Sequence, residues 1–175
     1  MEMCKESISR RMFEFLSNHI MEVERRKSIL IGEYYREKAE EAMEVESFFR
    51  EYARAVNQFL STVEIGKGSD EHCPIAIIGS TVEVQDLDDP ETYRYRIVYP
   101  YSKKADAKID DASCLSPLGR ALLLNRINQQ VNISIPAGEL RYVIKKITVH
   151  EQPVSGHKET QKLTSVSSAS VDLTI

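Results

Sequence analysis

The sequence predicts an α+β chain: an N-terminal antiparallel α-helical coiled-coil hairpin, then a small antiparallel β domain closed by one short helix. Three observations predict it. Residues 1–65 contain no proline and a single glycine, Gly32, yet carry 10 basic and 13 acidic side chains. Residues 66–175 hold all six prolines and six of the seven glycines. The apolar period also changes near that boundary, from helical spacing to alternation.

The helical half is read from its stripes. Met12, Leu16, Ile20 and Val23 recur at spacings of three and four, as do Phe48, Tyr52, Val56 and Phe59. Between them, Gly32 is the residue that takes a left-handed turn cheaply. The pattern therefore predicts helices over roughly 5–30 and 34–63, folded back at Gly32. At about 1.5 Å per residue each arm runs on the order of 40 Å, which predicts a long projection. The same stripe also fits a self-associating coiled coil.

A polar linker, 66–74, follows, and then the period becomes two. Residues 81–85 and 93–99 alternate around Asp88-Asp89-Pro90, which predicts a hairpin. A second alternating pair, 131–135 and 140–149, flanks Pro136-Ala137-Gly138. Ser116-Pro117 offers a capping side chain and a first-turn proline, followed by apolar Leu118, Ala121, Leu122 and Leu123. The β domain is thus placed at 75–152. The tail, 153–175, is Ser/Thr-rich without a sustained period and is expected to be disordered, with 170–175 as an alternative edge strand.

Composition removes several classes of function. The 175 residues carry 23 Lys+Arg against 27 Asp+Glu, a net charge of −4 that argues against coating nucleic acid by bulk charge. No apolar run approaches a membrane span, and the first residues lack a secretory layout. Cys4, Cys73 and Cys114 are scattered, as expected of free thiols in a reducing cytoplasm. The four histidines show no ligand spacing and read as structural or solvated.

Particular strings carry a resemblance. Residues 78–84 followed by Asp86-Leu87-Asp88, the run Ser116-Pro117-Leu118-Gly119-Arg120-Ala121-Leu122-Leu123, and 131–135 followed by Pro136-Ala137-Gly138-Glu139 keep their order over about 70 residues. Together they resemble the C-terminal domain of the Gre transcript-cleavage factors. Val98-Tyr99-Pro100 and 149–153 are more similar to Rnk, a short-armed relative.

The resemblance implies a bacterial, cytoplasmic protein whose FKBP-like domain docks on RNA polymerase beside the secondary channel. Its hairpin enters the channel, where tip carboxylates help hold a second Mg2+ at the polymerase active site. Such a factor has no catalytic centre and no metal of its own, touches nascent RNA indirectly, needs no membrane, and is expected to be a monomer. Docking falls by resemblance on Ser116, Pro117, Leu118, Gly119 and Arg120, with Leu115 where the family usually carries an acid. Arg25, Arg26 and Lys27 resemble in placement a patch that holds RNA, though three adjacent bases face different sides of a helix.

The tip departs from the family. Gre tips carry an Asp and a Glu three residues apart; alignment on Phe48 and Leu60 puts Gly32 and Tyr35 at those places. The nearest acids are Glu33 and Glu37, an i,i+4 pair placed to share one helical face and assist a magnesium ion. Ile31, Tyr34 and Tyr35 make the turn apolar, fit either for contact or for clamping the hairpin end. The mismatch points to a divergent regulator rather than a strong stimulator of cleavage.

Overall fold

The computed structural model describes residues 6–68, 70, 72–102, 106 and 108–149. The tail assigned to 153–175, and His150 and His157, lie outside them.

The chain opens with β1 (Ser7–Ile8), which pairs in parallel with β2 (Glu64–Ile65) and so joins the entry and exit of the helical hairpin at one point. Helix α1 (Arg10–Tyr34) starts at Ser9, whose side chain accepts from the Met12 amide at 3.0 Å. Met12, Leu16, Val23 and Leu30 form its buried stripe. Helix α2 (Ala39–Thr62) buries Val45, Phe49, Tyr52, Val56 and Phe59. Met12, Leu16, Val23, Tyr52, Val56 and Phe59 are buried as spacing predicts, whereas Ile20 is only half-buried and Phe49 takes the buried place expected of Phe48.

The reversal is not at Gly32. Gly32 sits inside α1, exposed, with nothing near the place a Cβ would occupy, and the chain turns through 35–38 instead. Two effects explain this. A glycine in a helix interior costs only about 1 kcal/mol. Continuing the helix to Tyr34 sets Tyr35 to bury its ring (7% exposed) at the helix end, followed by the polar Arg36-Glu37-Lys38.

Nor does the hairpin project. It lies along the body from end to end. Near the open end the Arg126 guanidinium sits 5.5 Å from the Phe59 ring centroid and pairs with Glu6. In the middle the Tyr52 hydroxyl accepts from the buried Ile78 amide at 3.0 Å. Further along, Phe49 stacks on Tyr99 (6.0 Å) and Phe48 lies under Arg120 (5.2 Å). At the turn, Tyr34 stacks on Tyr101. The stripe that spacing revealed is therefore covered by the chain's own second half, and buried residues of both halves join one core.

That second half is a five-stranded sheet. Strands β3 (Ser80–Asp86) and β4 (Thr92–Val98) form the expected hairpin, with the Asp86 carboxylate accepting from the amides of Asp88 and Asp89 in the turn. Strands β6 (Gln130–Ile135) and β7 (Gly138–Val149) form the second. A further strand, β5 (Asp110–Ser113), pairs in parallel with β4, so the sheet is mixed, ordered β5-β4-β3-β7-β6. Helix α3 (Pro117–Leu122) packs against β5 and β6, and its Leu122 is buried beside Ile97, Ile133, Ile144 and Ile147. His72, in the linker, bridges to Thr148 of β7.

Cys73 and Cys114 are free and buried, and burial pushes both thiols up to about 12. Two of the three cysteines should therefore resist a thiol-labelling reagent at pH 8 while the protein is folded. Intact mass after brief labelling checks this, and rapid modification of all three would show that the core around them opens.

Candidate functional site

Two faces carry the residues singled out from the sequence: the hairpin turn and the start of α3. At the turn, α1 ends with Tyr34 half-exposed, its ring stacked 4.3 Å from that of Tyr101 and nearly parallel to it (10°). Tyr35 is inside, its ring 6.3 Å from that of Tyr101, and burial followed by the Tyr101 hydrogen bond pushes its phenol up to about 12. Ile31 is half-buried. Of the three apolar tip residues, Tyr34 is thus the most exposed, and the group clamps the hairpin end onto the body.

The acids stand outside this clamp. Glu33 lies in the last turn of α1, while Glu37 lies beyond the helix end, within the turn. Both are exposed, but they do not share a continuous helical face, because the backbone leaves the helix at Tyr35 (φ −119°). Glu40 and Glu41 begin α2, where the helix dipole favours them, and Glu41 takes an ion pair from Lys38 at 3.3 Å. Among the described residues no three acidic, His or Cys side chains converge as metal ligands. The tip by itself does not fit a magnesium ion.

The basic run is committed locally. Arg25 grips Glu22 with two hydrogen bonds (2.8 and 2.6 Å), and Arg26 adds a third at 2.8 Å. The Arg25 bonds, more than those of Arg26, hold the Glu22 carboxyl down to about 2. Lys27 pairs with Glu24. Arg26 also lies 5.8 Å from the Tyr99 ring centroid. The run points its charge at neighbouring carboxylates and at the body.

At α3, Ser116 caps the helix as its sequence predicts: its hydroxyl accepts from the Gly119 amide (3.1 Å) and donates to the Ser113 carbonyl (2.7 Å). Gly119 is buried, and a Cβ there would fall 1.9 Å from the Ser113 carbonyl oxygen. Its role is close packing of α3 on β5. Leu118 and Leu115 are half-buried against the core, and Arg120 lies over Phe48 of α2. Of the five residues, Pro117 and part of Arg120 face outward. Asp111, near this face, is occupied by Arg96 at 2.7 Å.

Sequence reasoning missed one arrangement. Tyr52 reads as a stripe residue, yet its hydroxyl links three segments, accepting from Ile78 and meeting His19 Nε2 at 2.7 Å. The available signal was a tyrosine within an otherwise aliphatic and phenylalanine stripe, since a buried phenol demands a partner.

A helical hairpin ahead of a curled mixed sheet with one short capped helix defines a two-part α+β factor, and comparison with known proteins identifies its lineage. A model of "Transcription elongation factor, GreA/GreB, C-term" matches residues 71–149. Transcription elongation factor GreA of Thermotoga neapolitana is 30% identical over 157 residues, spanning 83% of this chain and 99% of that protein. GreA of Novosphingobium aromaticivorans is 39% identical over 71 residues, 41% of this chain and 43% of its own length. Among solved structures, the GreA/GreB factor from Nitrosomonas europaea aligns over 82% of this chain and 98% of that one, at 21% identity and a TM-score of 0.43. The chain belongs to the GreA/GreB family of transcription elongation factors.

Proposed function

We propose that this chain is a bacterial RNA polymerase-binding factor that docks beside the secondary channel through its sheet domain and modulates elongation with little stimulation of RNA cleavage. Similarity to GreA along almost the whole of that protein supports the polymerase partner. The tip carries the finer reading. Where Gre factors place their two carboxylates this chain has Gly32, inside α1, and Tyr35, buried against the body. Neither offers a ligand to a metal, and Glu33 and Glu37 lie on different backbone segments. The protein then acts by occupying a site on the polymerase, in the cytoplasm, and carries no reaction of its own.

Purified protein added to stalled, backtracked elongation complexes tests this. The expected result is cleavage close to that of polymerase alone, together with suppression of cleavage by an added Gre factor. Strong cutting that disappears in a Glu33→Ala/Glu37→Ala double variant would overturn it. Docking is tested separately by polymerase pull-down with Pro117→Ala, which removes an exposed apolar contact without touching the core. Binding should weaken on the order of tenfold, the usual cost of losing one central contact, and unchanged capture would move the docking surface elsewhere. The rival reading, self-association through the helices, is disfavoured because Leu16, Val23, Phe49 and Val56 are already fully covered within the chain.

A further inference from the structure

We propose that the loop carrying Tyr99 and Tyr101 is a clasp on the hairpin turn, and that the turn swings out to a partner only when Tyr34 leaves Tyr101. The inference rests on the polymerase reading solely for the identity of that partner. The attachment of the hairpin to the body is uneven along its length. The half nearest the linker is held by Tyr52 on Ile78, by Phe59 under Arg126, and by the Glu6–Arg126 ion pair, with Tyr52 and Phe59 part of the buried core. Beyond Phe48, whose ring lies under Arg120, the ring contacts to the body among the described residues run to this one loop: Arg26 over Tyr99, Tyr34 stacked on Tyr101, and Tyr35 tilted against it.

The loop itself is under tension. Tyr101 has φ +60°, a left-handed conformation that a bulky side chain adopts only when its surroundings impose it. Its ring remains 60% exposed although one face is covered by Tyr34. The Tyr99 hydroxyl is buried without a hydrogen-bond partner, a second cost borne in the closed arrangement. A contact made of one exposed stack and two strained or unsatisfied groups is the weakest part of the interface, so it is where local opening starts. Opening there swings the turn with Glu33, Glu37 and Glu41 away from the sheet while the inner half of the hairpin stays seated.

Amide hydrogen exchange on the full chain tests the clasp without polymerase. In Tyr101→Ala, amides from Leu30 to Ala42 should exchange about tenfold faster, the scale of losing one to two aromatic contacts, while those of 50–60 and of β3 keep their rates. Unchanged exchange at the turn, or equal acceleration throughout the chain, would overturn the proposal. Tyr34→Cys/Tyr101→Cys, joined by an oxidised disulfide, supplies the opposite arm. Locked protein should retain polymerase capture but lose its effect on elongation, and reductant should restore that effect; an undiminished effect when locked would also overturn the clasp. Failure of the unmodified chain to capture polymerase would instead remove the polymerase reading, and the exchange comparison would then decide the clasp alone.

Discussion

Replacing Gly119 with alanine should destabilise the protein by about 3 kcal/mol or more, at the upper end of what overpacking costs. The added methyl would lie 1.9 Å from the Ser113 carbonyl oxygen and 2.7 Å from its carbon. Both are backbone atoms of the strand on which α3 rests, so neither can rotate away. Relief requires α3 to lift, which pulls the Ser116 cap from Ser113 and Leu122 from the core. The melting temperature should fall by roughly 6–12 °C for a chain of this size. The same substitution at Gly32 should act with the opposite sign. There the methyl meets open space on an exposed turn of α1, and the helix gains roughly 0.5–1 kcal/mol from losing its most flexible residue. Thermal melts of the two variants measured together give the answer. A harmless Gly119→Ala would mean that α3 does not pack on β5 as closely as the structure has it. The result also bears on docking studies: a substitution at Gly119 reports on folding, and Pro117 is the better probe of the surface.

Acidification should weaken the fold between about pH 6.5 and 4, through His19. Burial holds its imidazole down to about 4, against the partial opposition of the Glu22 charge. The folded protein therefore binds this proton less readily than the unfolded chain. The stabilisation is complete above pH 6.5 and is lost progressively as pH falls towards 4, to a limit of about 3 kcal/mol. The local hydrogen bonds give the physical reason. The Tyr52 hydroxyl already accepts from Ile78, so its own proton is best placed on a neutral His19 Nε2. A protonated imidazole offers a second donor instead of an acceptor, and the phenol proton is left without a partner in the core.

His19→Gln should flatten this slope. Decline that persists below about pH 4.5 belongs to carboxylates held low by arginines, Glu22 by Arg25 and Arg26 and Asp88 by Arg141. Tyr52→Phe, which strips the Ile78 amide of its acceptor, should cost about 1–3 kcal/mol at neutral pH. Chemical denaturation at several pH values measures both variants beside the parent, and a His19→Gln profile parallel to that of the parent would refute the assignment.

Most of the secondary structure could be read from the chain because it depends on local pattern. The stripe from Met12 to Val23, the alternation of β3 and β4, and the Ser116 cap each satisfy themselves within a few residues. What eluded the sequence depends on distant partners. Strand β5 carries Asp110, Asp111 and Ser113, no alternating apolar set, and exists because β4 offers a free edge. The reversal past Gly32 is decided by the place Tyr35 finds on the body, which no local propensity encodes. An amphipathic stripe announces that a face will be covered and leaves open by what, so the same residues fitted a free rod, a dimer and the packed hairpin. The residues proposed for docking divide the same way. Ser116 and Gly119 could be located as a helix start, whereas the engagement of Arg120 with Phe48 required both halves in place.

The short parallel pairing of Ser7–Ile8 with Glu64–Ile65 has a consequence for how force passes through the molecule. Because both roots of the helical pair are fastened at a single knot, neither helix can slide or twist without carrying the other. A push delivered at residues 35–38 thus arrives at the linker as one torque, applied within a few residues of His72 and the strand it bridges.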